Sequence, residues 1–396
     1  MTAGPVVAAE DRSDLVAERV PGSGRLEALD GYRALAAVLV LLTHVGFQTG
    51  VALRGPYAGV LARFDIGVTI FFLLSGFLLT RPFFVAHHRG SAPQPVRVYA
   101  WHRALRILPA YWCAVVAAML VFPANQGSSP AEWLVQLLVL QTYVPDSLLP
   151  GLTQMWSLGA EIGFYVALPL LGRWVLRRRS DDPSARAARQ WRLVIALVVA
   201  AQLWRAYAYT RPDGPGLLPL WLPNYLDWFG LGMALAVLRS GQRDAGGRLS
   251  RWFTGLASAP GVCWTFALSA FWISTTSIGG PLDLTTPTLS QAFLKHWLYG
   301  AAAFFALLPV AVGHGDDRMT AAWASRVPSW LGEVSYGIFL WNVTALYVVF
   351  RITGIPTFHD YFWPVLVLVL ALTVSVAAVS WYVVERPALR LRRFVR

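Results

Sequence analysis

Long apolar runs alternate with short polar connections along nearly the whole chain. Ten runs approach or exceed the roughly 20 residues that cross a hydrocarbon core of about 30 Å. They cover residues 31–48, 66–85, 105–122, 155–176, 192–209, 219–238, 259–279, 291–312, 329–350 and 363–384. A further apolar piece, 132–144, is too short to cross and is closed by Pro145 and Pro150, so it is expected to be an interfacial or re-entrant helix. The longest connections, 86–104, 177–191, 239–258 and 313–328, are too small for a folded extramembrane domain. The pattern predicts an all-α polytopic membrane protein of about ten transmembrane helices. Residues 29–388 form its membrane domain, 1–28 a disordered cytoplasmic tail and 389–396 a basic cytoplasmic tail. The first 28 residues lack an early apolar core, so the first span is expected to serve as its own insertion signal.

Composition agrees: 56% of residues are hydrophobic, only 14% are charged, and the mean hydropathy is +0.51. The net charge of +12 raises the question of nucleic acid, and the distribution of the 33 Lys and Arg answers it. With both termini cytoplasmic, 27 fall on the inner side; Arg54, Arg63, Arg205, Arg211, Lys295 and Arg351 are left for the outer side. That asymmetry is the positive-inside rule, which accounts for the charge without a nucleic-acid partner. Cys113 and Cys263 both fall within expected helices, where core packing is their expected role, and two cysteines make neither a disulfide framework nor a metal cluster.

Candidate chemistry starts with His44, because an ionisable group deep in a span is costly and needs a reason. Arg33 precedes it by eleven residues, three helical turns, so the two share one helical face about 16 Å apart. Counting about 1.5 Å per residue places His44 in the outer half of the bilayer, at nearly the level of Glu161. A carboxylate beside an imidazole orients it and raises its basicity, the base-plus-orienter arrangement of acyl transfer. The same pair reads equally as a buried lock between two helices. Arg205, Asp227 and Asn342 fall in this outer layer, with Asp65 and His296 nearer the surface. Such a layer suits a hydroxyl-rich acceptor; for Arg205, Asp65 and His296 individually, headgroup contact or internal pairing is the favoured reading. On the opposite side, Arg103 and Arg106 share a helix face near the depth of Arg33, a grouping suited to phosphates and also to ordinary topogenic charge. Gly76 is expected to permit close helix contact or a narrow tunnel, Ser75 to pack, and Gly159 and Gly163 to press their helix on a neighbour. His87, His88, His102, His314 and His359 are expected in solvated loops or helix ends.

These residues form an ordered series. Leu29-Asp-Gly-Tyr-Arg33 with His44, Phe71 to Leu79, Arg103 to Tyr111, Trp156 to Glu161, Ser335 to Trp341 and Glu385-Arg-Pro387 together resemble the bacterial acyltransferase family 3, integral membrane O-acyltransferases that modify sugars. The resemblance spans Leu29 to Pro387 and departs at Asn342, where the family motif commonly carries histidine. An amide there cannot shuttle protons, so acceptor binding is its expected role. The resemblance implies a bacterial plasma-membrane enzyme. His44 would be its catalytic base with Glu161 as orienter, Arg33, Arg103 and Arg106 would hold acyl-CoA, and Asp65, Arg205, Asp227 and Asn342 would meet the acceptor. Acyl-CoA is implied as co-substrate with no tightly bound cofactor or metal, and a sugar-containing acceptor and membrane lipids as partners. A transporter or flippase of a lipid-linked sugar is the competing reading, opposed by the lack of a visible internal repeat.

Overall fold

The computed structural model describes residues 24–89, 91–176, 182–240, 247–283, 285–313 and 318–395. The expected tail over 1–28 therefore falls largely outside the described residues, as do 177–181 and 241–246 of the longer connections and His314. Each of the ten apolar runs contains a helix. They are α1 (Gly24–Thr49), α2 (Ile66–Arg89), α3 (Val96–Val121), α4 (Trp156–Leu176) and α5 (Pro183–Tyr209), then α6 (Leu226–Ser240), α7 (Pro260–Ser274), α8 (Leu289–Val312), α9 (Ser335–Thr353) and α10 (Phe362–Ser380).

Eight of these meet the length and apolarity that crossing requires. The other two, α6 and α7, have 15 residues each, about 22 Å at 1.5 Å per residue. The expected span at 219–238 is shortened because Pro219 and Pro223 sit in 3-10 turns, leaving regular helix only from Leu226. Pro260 starts α7 after a 97° bend from the preceding helix, so Ser250–Ser274 is a broken element.

Packing follows membrane rules: small residues bring backbones together, and large apolar side chains such as Leu120, Val166 and Leu203 are exposed on the outer surface. A methyl at Gly76 of α2 would lie 2.3 Å from the Phe229 carbonyl oxygen of α6, and one at Gly232 2.1 Å from that of Leu73. Close contact, rather than a tunnel, is what Gly76 provides. Gly159 and Gly163 instead make room for Thr142 and Leu222, which come from connecting segments. The short α6 is buried along most of its length, in a core with α2, α4 and α8, while α1 joins α9 and α10 in a second cluster. Cys263 is buried as expected, but Cys113 is exposed on the outer surface of α3.

The 132–144 piece forms a helix only over Pro130–Leu137, opened by a capping box between Ser129 and Glu132. The Ser129 hydrogen bonds hold the exposed Glu132 carboxyl below the usual carboxylate range. The helix ends because Val139 takes φ +59°, with Leu140 N–H donating to Val135 O and Val139 N–H to Gln136 O, the left-handed closure usually built on glycine. Val139 is buried at 5% exposed, and the packing of its side chain in the core offsets the cost of the left-handed backbone.

Candidate active site

One cavity organises the polar residues of the bundle. Arg33 of α1 and Arg103 and Arg106 of α3 line it together with Glu161 of α4, so the three expected phosphate-binding arginines do converge. Ser75, Ser157, Tyr165, Ser335 and Tyr336 supply hydroxyls, and Val68, Phe71, Phe72, Leu74 and Phe339 among others supply apolar wall. Arg33 is ion-paired with Asp30 at 2.6 Å. Arg106 is flanked by the Trp381 ring, 5.3 Å from its centroid, and by Glu385 at 4.0 Å. Glu385 closes a five-residue π-turn, Trp381–Glu385, that continues α10. The segment beyond it, expected as a basic tail, runs on as a helix and a 3-10 turn, and the Trp101 indole N–H donates to Leu391 O.

Glu161 does not orient His44. Its Oε1 accepts hydrogen bonds from the Ser75 hydroxyl and the Tyr165 hydroxyl, both at 2.6 Å. The depth count placed Glu161 and His44 at one level, but level along the membrane normal says nothing of direction across the bundle. Helix α4 packs on α2 and α3, whereas α1 packs on α2 and α9.

The partner of His44 is Asn342, whose Oδ1 lies 2.7 Å from Nδ1. The Asn342 amide nitrogen donates to Phe339 O at 2.7 Å and Ile338 O at 3.2 Å, so its oxygen is the atom turned to the imidazole. An amide oxygen only accepts; Nδ1 therefore carries the proton and Nε2 the free lone pair. The residue expected to meet acceptor is buried, 1% exposed, and is committed to the histidine. Phe339 and Phe71 meet edge to face at the cavity wall, 6.2 Å between centroids, and Phe339 lies on α9 one turn before Asn342.

The rest of the expected acceptor layer divides. Arg205 is fully buried, and its three nitrogens are engaged by Asn224, Gln202, Asp227 and His296, with Asp227 at 2.9 Å. His296 also stacks on Trp228 at 4.4 Å. Arg205 and Asp227 thus form an internal tie between α5 and α6, with no face offered to a ligand. Asp65 differs: it accepts from Lys295 at 2.8 Å and from the Tyr299 hydroxyl, yet its side chain remains 38% exposed. It sits just before α2, at the part of the chain that touches α1 below His44, where Thr43 donates to Leu61 O and Gly67 abuts Ala36. Among the histidines expected in solvent, His87 is buried beside Gln190, while His359 is exposed.

Sequence reasoning missed Ser75, Tyr165 and Glu385 as site residues. Tyr165 carries a signal after the fact, since it stands one turn after Glu161 on the same face. Ser75 lies beside a packing glycine, where packing is the ordinary expectation.

The acyltransferase-domain family matches residues 26–385. The chain is 26% identical over 391 residues to acyltransferase MdmB of Streptomyces mycarofaciens, covering 93% of this chain and 92% of that one. It is 26% identical over 403 residues to nodulation protein 10 of Rhizobium leguminosarum bv. viciae, covering 93% and 95%. It is 24% identical over 393 residues to peptidoglycan O-acetyltransferase OatA of Listeria monocytogenes, covering 91% of this chain but 55% of that protein. No solved structure matches the chain. Between the enzyme and the transporter readings, the match decides for the enzyme: the chain belongs to the acyltransferase 3 family, and it is an integral membrane O-acyltransferase of the bacterial plasma membrane.

Proposed function

We propose that the enzyme takes a short acyl group from acyl-CoA on the cytoplasmic side and transfers it to a hydroxyl of a sugar-containing acceptor on the outer side. The observation that carries this reading is the cavity itself. Three arginines converge in it, and its wall residue Phe339 lies one turn from Asn342, the partner of His44. Arg33, Arg103 and Arg106 hold the donor phosphates, since guanidinium forks match phosphate oxygens. Beyond the arginines the cavity is walled by Val68, Phe71, Phe72, Leu74 and Phe339, an apolar lining that suits the neutral thioester arm.

His44 Nε2 takes the proton of the acceptor hydroxyl as its oxygen attacks the thioester carbonyl carbon. The tetrahedral intermediate collapses with cleavage of the C–S bond, and the imidazolium returns the proton to the departing thiolate. Asn342 keeps the imidazole in the tautomer this requires. Of the residues expected to meet the acceptor, Asp65 alone keeps a partly exposed side chain, beside Lys295, which supports assigning it to the acceptor hydroxyl. A sugar acceptor is supported by the peptidoglycan O-acetyltransferase among the relatives.

The test is to offer radiolabelled acetyl-CoA to purified protein in detergent with a crude envelope extract. Label should leave CoA in the wild type, and far more slowly in an R103A/R106A variant. Intact acetyl-CoA with wild-type protein would contradict the donor assignment.

A further inference from the structure

The donor cavity contains a feature that phosphate binding does not explain. A site for a polyanion is expected to be uniformly basic, yet Glu161 stands on the same wall system as Arg33, Arg103 and Arg106. Its placement is built: Ser75 from α2 and Tyr165 from one turn along α4 both donate to Oε1 at 2.6 Å. Two short bonds to one oxygen fix the carboxylate at the cavity wall, and among the described residues no hydrogen bond engages Oε2, which can only accept. A fixed acceptor beside an anion site repels phosphate and selects an N–H or O–H donor.

Between its phosphates and its thioester, an acyl-CoA has a neutral arm with two amide N–H groups and one hydroxyl. We propose that Glu161, held by Ser75 and Tyr165, is a binding subsite for an amide N–H of this arm, and that the carboxylate guides the thioester from the arginines toward the Phe71–Phe339 wall. The subsite rests on the acyl-CoA reading above and adds a specificity to it. The cavity accepts a phosphate-bearing ligand with an amide arm and disfavours one whose next group is another anion.

The experiment compares two probes on the full-length protein in detergent. Coenzyme A carries phosphates and arm; 3′-phosphoadenosine 5′-diphosphate carries the phosphates alone. Glu161→Leu, which removes the acceptor at similar volume, should weaken CoA binding about tenfold or more, the loss of one hydrogen bond to a charged group. It should leave the nucleotide within about twofold or tighten it. Glu161→Gln, which keeps an acceptor oxygen, should fall between, and Ser75→Ala should weaken CoA alone; these two variants carry the test if Glu161→Leu does not fold. Arg106→Ala should weaken both probes. Equal effects of the Glu161 variants on both probes, or none on either, would overturn the subsite while the donor assignment stands. Failure of wild-type protein to bind either probe would overturn both.

Discussion

Asn342 turns its side-chain carbonyl on His44 at 2.7 Å, and its amide nitrogen donates to two backbone carbonyls of its own helix. The amide therefore cannot flip without losing bonds to Ile338 and Phe339, which makes it a fixed template for one imidazole tautomer. Proton shuttling is not needed at this position if the second residue only orients the first. Loss of a group that orients a functional histidine costs about 10- to 100-fold in activity. Asn342→Ala should lower kcat by that factor with donor KM unchanged, and Asn342→Asp, which preserves an acceptor, should retain more activity. Steady-state kinetics of the three proteins check this.

Glu385 concerns the other end of the reaction. Its buried carboxylate, set by the π-turn, and the Trp381 ring hold the Arg106 guanidinium toward the donor cavity. Freeing a long side chain returns about 1 kcal/mol of ordering cost to the binding step. Glu385→Gln should raise donor KM about fivefold and leave kcat near wild type; the KM and kcat of purified variants are the measurement.

Arg205 and Asp227 should behave as stability residues. Removing one partner leaves the other charge buried, a loss on the order of 3 kcal/mol. Asp227→Ala should lower the melting temperature in detergent, whereas an R205M/D227L protein should melt higher than either single variant. Activity per folded molecule should persist in the double variant.

The contact of α2 with α6 admits no side chain at its two glycines. Gly76→Ala and Gly232→Ala each drive a methyl into a backbone carbonyl and should destabilise by about 1–3 kcal/mol, read as a lower melting temperature. Gly163→Ala meets only the movable Leu222 side chain and should be nearly neutral in the same assay.

The helices were legible because apolar run length in a membrane protein is a strong signal, and the arginines were legible because charge at one helix end has few uses. What one-dimensional depth could not supply was direction across the bundle. His44 and Glu161 shared a level, but the helices that carry them face different neighbours, so the partner of the imidazole was found one helix away at Asn342. Internal pairing is the favoured expectation for Arg205, but a sequence shows polarity without showing who satisfies it, and only the structure names Asp227 as the partner. Ser75 was hidden because a serine beside a packing glycine has an ordinary structural explanation, and only the carboxylate of a distant helix shows its second use. The ends of α6 and α7 were set by prolines and turns that an apolar average smooths over.

The central claim is that His44 is the base at which an inside donor meets an outside acceptor. Its most direct test is to delete the native gene, restore it as wild type or His44→Ala at equal membrane level, and compare the acylation of envelope glycans and glycolipids by mass spectrometry. The wild type should restore the acylated species and His44→Ala should leave the deletion profile unchanged, while still binding CoA when purified. Full restoration of acylation by His44→Ala would contradict the account.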